Sequence, residues 1–161
     1  MSERKAITKQ LSELLKQYID PHNDARVYYA REVTFDYGLQ SMVRVDFMEF
    51  RPRNNTVSGI ESGVFYAYEV KSSVDDFHSK YGHNFIADYN YYVMPQDVYE
   101  KIKQEIPQYV GVLMPVVEQS QHTRLHVVRA AKRHDRKRPC VEMLLMMFRS
   151  AHRDILKIET T

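Results

Sequence analysis

Two strand-like runs, separated by a short polar insert, constrain this chain more than any other feature. They are Met42-Val43-Arg44-Val45-Asp46-Phe47-Met48-Glu49-Phe50 and Val64-Phe65-Tyr66-Ala67-Tyr68-Glu69-Val70-Lys71. Both are dense in β-branched and aromatic residues, which suit a pleated, half-buried surface. Side chains alternate along an extended chain. Glu69 and Lys71 therefore share one face with Ala67 and Phe65, about 6–7 Å apart along the strand. Val64, Tyr66, Tyr68 and Val70 take the other face. If the two runs pair, Asp46 reaches the same spot as Glu69, and two carboxylates face one lysine at the edge of a sheet.

The plain reading of these residues is structural: an acid on an edge strand, and an exposed ion pair of little worth. Yet Asp46 interrupts an apolar run, where an unpaired carboxylate is costly to bury. Two adjacent carboxylates repel, and binding a cation relieves that repulsion. Hard oxygen ligands without thiols or imidazoles favour Mg²⁺ or Mn²⁺ over zinc. A divalent ion there stabilises charge on a phosphate in transition, and a neighbouring ammonium assists.

The surrounding pattern predicts a helix over residues 3–18, with Ile7, Leu11, Leu14, Leu15 and Tyr18 on one face. Strands follow over 26–36, 42–51 and 63–72, joined as an antiparallel meander. Ser73 reads as an N-cap, with Asp76 three residues on, opening a helix to about residue 88. A strand over 89–94, a helix over 96–105 and a strand over 109–114 imply parallel neighbours with right-handed crossovers. A further strand over 125–131, a basic loop over 132–139 and a helix over 141–157 complete the chain. The expectation is a mixed sheet flanked by helices, an α/β (α+β) architecture in one domain of 161 residues. Its core spans about residues 3–115, with a C-terminal strand, basic loop and helix over about 123–158.

The ordered set of Asp46, Glu69-Val70-Lys71 on the following strand and a helix opening at Ser73 resembles the PD-(D/E)XK nuclease superfamily. Within it, the chain is most similar to MmcB-related DNA-repair nuclease-like proteins. The similarity runs from about Glu32 to Pro115 and includes Arg31-Glu32-Val33, Arg44-Val45, Ser72-Ser73, Asp76-Phe77, Lys80-Tyr81, Tyr91-Tyr92-Val93-Met94-Pro95 and Val110-Gly111-Val112-Leu113-Met114. It implies a restriction-endonuclease-like core of order αβββαβ, with an added αβ and a C-terminal helix. It implies Asp46 and Glu69 as ligands of Mg²⁺ or Mn²⁺, the Val70 carbonyl as a further ligand, and Lys71 as the catalytic amine. It also implies an assisting carboxylate on the first helix, for which Glu13 is the candidate. Glu32 is a rival for that supporting role. The plain reading of both is a solvated residue. The insert 51–63 departs from the tight hairpin of many relatives.

Net charge is only +2, so affinity for a polyanion must come from a local patch. Arg124, Arg129, Lys132, Arg133, Arg136, Lys137 and Arg138 form the dense basic stretch. Arg129 and the five from Lys132 to Arg138, with Lys80, are candidate phosphate contacts; a solvated loop is the alternative. The seven histidines lack metal-binding spacing and read as surface residues. Met143, Met146 and Met147 read as core or interface. The phosphate-loop, dinucleotide and GxSxG motifs are missing, which argues against nucleotide-fuelled or triad chemistry. One cysteine, Cys140, leaves no intrachain disulfide and fits a reducing compartment. A start without an apolar stretch and the lack of an 18-residue apolar run lead to the expectation of a cytoplasmic protein without a membrane span. The expected function is metal-dependent hydrolysis of DNA, in repair or in mobile-element or phage DNA processing. The partner is DNA, with RNA as a variant, and a homodimer would allow both strands to be cut. The alternative is a nucleic-acid-binding or regulatory protein that keeps the fold without cleaving.

Overall fold

β-Branched and aromatic runs build six strands that lie in one sheet in chain order: β1 (Tyr28–Phe35), β2 (Val43–Arg51), β3 (Val64–Val70), β4 (Tyr89–Val93), β5 (Gly111–Val117) and β6 (Thr123–Arg129). The computed structural model describes residues 3–160. Met1 and Ser2, on which part of the N-terminal reading falls, and Thr161 lie outside them. β1, β2 and β3 pair antiparallel, β3, β4 and β5 pair parallel, and β6 closes the far edge antiparallel to β5. β3 is thus the strand where pairing changes sense. Meander and crossovers follow the sequence expectation. A mixed α+β fold with an open sheet is the result. Among the described residues no helix is long and apolar enough to cross a membrane.

Among the described residues five helices flank the sheet: α1 (Glu3–Ile19), α2 (Val57–Glu61), α3 (Val74–His78), α4 (Gln96–Ile102) and α5 (Cys140–Glu159). Phe47 pairs with Tyr68 and Met48 with Ala67, so alternation sends the two pairs to opposite faces. The apolar stripe of α1, Leu11, Leu15 and Ile19, packs on the Phe47, Tyr68, Val70 and Val93 face. On the other face, Met143 and Met147 of α5 cover Met48, Phe50, Phe65 and Ala67. Beyond them α3 and α4 bury Phe77, Val98 and Ile102 against Tyr92 and Met94. Each fully buried side chain of this size contributes about 1.5–3 kcal/mol.

β2 and β3 lie inside the sheet rather than at its edge, and two further elements depart clearly from expectation. The insert 51–63 contains α2, opened by Thr56, whose hydroxyl accepts the Gly59 N–H at 3.0 Å. The helix expected to reach residue 88 stops at His78. Ser79 turns extended, Gly82 takes φ +73° and Phe85 φ +45°. Side chains replace the missing helical donors. His83 Nε2 lies 2.8 Å from the Phe77 carbonyl and 3.0 Å from that of Ser79. Ser79 Oγ donates to Asp76 at 2.7 Å. His83 is therefore packed among Phe77, Phe85 and Tyr92 rather than solvated. His134 likewise stacks on Tyr109.

Candidate active site

The register of β2 and β3 continues from Met48–Ala67 to bring Asp46 beside Glu69, on the face that α5 and α3 cover. Asp46 Oδ2 accepts the Val70 N–H at 2.9 Å, which ties the Val70 peptide to the carboxylates. Glu69 is buried and Asp46 half-buried. Burial pushes the Glu69 carboxyl well above the usual carboxylate range, and the neighbouring Asp46 charge and a side-chain hydrogen bond with Asp46 push it further. Burial also raises Asp46, against the lowering effect of the Val70 N–H. The two acids share a proton more readily than they both ionise.

Lys71 completes the group one step along the strand. Its main-chain N–H donates to Val93 of β4 at 2.9 Å, so the β3–β4 pairing fixes where the side chain starts. The ammonium donates to the Tyr81 carbonyl at 2.6 Å and to the Asp76 carbonyl at 3.2 Å. An ammonium has three N–H donors, so one is left for a further acceptor. Burial lowers the lysine below its ordinary value, while Asp76 and Glu69 act to raise it. Gly82 lies against both functional groups. A Cβ there would stand 2.8 Å from Lys71 Nζ and 3.0 Å from Glu69 Oε2.

Behind Lys71, Asp76 organises the entrance to α3. Ser73 Oγ accepts the Asp76 N–H at 3.1 Å, and Asp76 Oδ2 accepts the Ser72 N–H at 3.1 Å. Asp76 Oδ1 takes Arg4 of α1 at 2.8 Å. The N-cap pattern of Ser73 and Asp76 does not reveal this second role of the Asp76 carboxylate. Arg4 and Gly82 were also missed. The Tyr81-Gly82 pair inside a nominal helix is the signal for Gly82, because glycine there marks a break. Arg4 had no local signal.

Comparison with protein-family models, with curated proteins and with solved structures finds no match.

The donor set decides which cation would fit. Among the described residues no group of three or more His, Cys, Asp or Glu is placed to hold a metal ion. The candidates are the two carboxylates of Asp46 and Glu69 and the Val70 carbonyl, all hard oxygen donors, which suit Mg²⁺ or Mn²⁺. A buried acid pair that is costly to ionise fits a cation that would replace the shared proton.

The remaining candidates are dispersed. Glu13 is exposed on α1 and lines a cleft with Arg4, Lys5, Lys9 and Arg31. Glu32 has φ +49° and faces Arg44 at 3.9 Å and Arg153 at 3.8 Å, an arginine-paired position apart from the Asp46–Val70 contact. Lys80 is exposed beside the site, over the Tyr81 ring. Most of the basic stretch is engaged internally. Arg129 donates to the Pro107 carbonyl at 2.7 Å. Arg136 and Arg133 face buried Asp88 at 3.4 and 3.9 Å. Lys137 donates to the Asn84 carbonyl at 2.7 Å, and Arg138 to Asp36 at 2.7 Å. The Lys132 main-chain N–H donates to Tyr109 at 3.0 Å, and its side chain is exposed. These pairings strap the loop to the body; Asp88 and Asp36 offset part of its charge, while Lys132 and Lys137 keep exposed side chains.

Proposed function

We propose that the chain is a Mg²⁺- or Mn²⁺-dependent nuclease that hydrolyses DNA phosphodiester bonds. The observation that carries this reading is the convergence of Glu69 Oε2 and Lys71 Nζ on Gly82, with Asp46 held beside them by the Val70 N–H at 2.9 Å. Asp46, Glu69 and the Val70 carbonyl would hold the cation. When bound, it supplies Lewis-acid stabilisation of the charge that develops on the phosphate. Lys71 keeps its ammonium fixed by two carbonyls and directs its remaining N–H towards the attacking water or a phosphate oxygen. Asp76 and Gly82 position that amine. The ordered motif from Asp46 to Ser73, which resembles the PD-(D/E)XK superfamily, supports the same reading, and repair or mobile-element DNA processing is the setting it implies.

The test is cleavage of supercoiled, linear, single-stranded and branched DNA with Mg²⁺, Mn²⁺ or chelator. Metal-dependent nicking is expected, reduced at least about 100-fold by Asp46→Asn and by Lys71→Ala, with circular dichroism unchanged. Retarded DNA without any product, under every metal condition, would replace the nuclease with a binding protein.

A further inference from the structure

The polar side of α1 has an arrangement that the packing of the helix does not require. Ile7, Leu11, Leu15 and Ile19 face the sheet. Arg4, Thr8 and Ser12 form one row at i, i+4, i+8, and Lys5, Lys9 and Glu13 form a second. Both rows, with Arg31 of β1, line one open cleft of about 600 Å³. Glu13 is the single acid among the seven lining residues. Lys5 and Lys9 have no ion-pair partner among the described residues, and like charges at i, i+4 disfavour a helix by about 0.2–0.5 kcal/mol. Arg31 is held over the Phe47 ring, 5.6 Å from its centroid, so its charge stands at the cleft wall. Hydroxyls and cations together are the side chains that contact phosphate oxygens without reading bases.

The cleft also has a direction. Arg4 reaches Asp76 at 2.8 Å, and the Asp76 carbonyl accepts from Lys71 at 3.2 Å. One end of the cationic rows therefore stands at the Asp76 turn that holds the Lys71 ammonium, at the end of β3 where the two faces of the sheet meet. From Arg4 to Glu13 the face runs about 14 Å, the rise of about four nucleotides of one B-form strand. The basic loop 132–139, by contrast, spends its guanidinium groups on Asp88, Asp36 and main-chain carbonyls.

We infer that this face of α1, completed by Arg31, is the track along which the sugar-phosphate backbone of a polynucleotide reaches Asp46 and Glu69. The inference rests on the nuclease reading for its destination. Its contacts are to phosphate, so binding is insensitive to base sequence and falls steeply with salt.

The experiment measures binding of the full chain, in chelator so that nothing is cut, to fluorescein-labelled single-stranded and duplex oligonucleotides of mixed sequence over a salt series. The double variant Lys5→Glu, Lys9→Glu is expected to bind at least about 10-fold more weakly, with the slope of log affinity against log salt flatter by about 2. Both side chains are exposed, so its melting temperature should match the parent. Lys101→Glu, Lys103→Glu at the C-terminal end of α4 makes the same charge change elsewhere and should stay within about twofold. Equal losses in both double variants, or none in the first, overturn the track. So does lysine-dependent binding to phosphatidylglycerol vesicles without binding to oligonucleotides. Lysine-dependent binding with no cleavage in Mn²⁺ would sink the nuclease reading and leave the track standing. Cleavage indifferent to Lys5 and Lys9 would do the reverse.

Discussion

The Lys71 ammonium donates to the Tyr81 carbonyl across 2.6 Å, and that bond joins the end of β3 to the segment where α3 gives way to loop. It does local structural work apart from any chemistry. Lys71→Met removes the donor to both Tyr81 and Asp76, and a hydrogen bond to a charged group contributes about 1.5–3 kcal/mol. A loss of about 2 kcal/mol is expected in urea denaturation, with amide exchange faster over residues 79–84 and unchanged in β2 and β3. Unaltered exchange over 79–84 would contradict it.

Gly82 is required for two reasons. Its φ of +73° is strained for any residue with a Cβ, and the added atom would meet Lys71 Nζ at 2.8 Å and Glu69 Oε2 at 3.0 Å. Gly82→Ala should cost about 1–3 kcal/mol, seen as a lower thermal midpoint. Cleavage should fall as well, because the amine and the acid are pushed apart. A variant that melts and cuts like the parent would show that the loop can move away freely.

The acid pair gives stability a pH dependence of definite sign. Folding raises the Glu69 and Asp46 values, chiefly by burial. A group raised on folding contributes fully below its unfolded value, about 4.3 for Glu and 3.9 for Asp, and loses that contribution as pH rises through the folded value. Metal-free protein should thus lose stability from this source as pH climbs above the ordinary carboxylate range. Glu69→Gln should flatten the loss, and Mn²⁺ should reverse it by replacing the proton. Calorimetric melts of parent and variant across pH, in chelator and in Mn²⁺, measure this. Parallel curves for the two proteins in chelator would refute it.

Asp88 anchors the C-terminal extension. It is buried, accepts the Phe65 N–H at 2.9 Å and faces Arg136 at 3.4 Å. Arg136 also lies over the Phe65 ring. Arg136→Ala leaves a buried carboxylate short of its partner, a change that costs about 3–5 kcal/mol in such pairs. The lower end is expected here, because Arg133 stands 3.9 Å away. Oligonucleotide affinity of the folded variant should change less than twofold, the opposite balance from a phosphate contact.

Alternation along two strands was enough to foresee Asp46, Glu69 and Lys71 on one face, because period-two geometry is local. The meander, the crossovers and both long helices were legible for the same reason. What sequence left hidden depends on partners distant in the chain. The stop of α3 at His78 rests on Lys71, His83 and Gly82 together, and apolar spacing at Phe77, Tyr81 and Phe85 pointed to a longer helix. The charge run at 132–138 looked free because Asp36 and Asp88, which engage it, lie about 50–100 residues earlier. Arg4 meets Asp76 across 72 residues, a separation at which no spacing rule operates.

β1 has a row of main-chain groups with no strand beyond it among the described residues. At its bend, where Glu32 takes φ +49°, Arg153 of α5 donates to the Arg31 carbonyl at 3.0 Å and to the Glu32 carbonyl at 3.3 Å, and Ser150 reaches Glu32 at 3.4 Å. These acceptors are therefore occupied by the chain's own final helix. An incoming strand would find its template interrupted at mid-length, which is one way a sheet avoids zipping to its copies. Losing the last two turns of α5 would take Arg153 from the Arg31 and Glu32 carbonyls and open that border to pairing with a second copy.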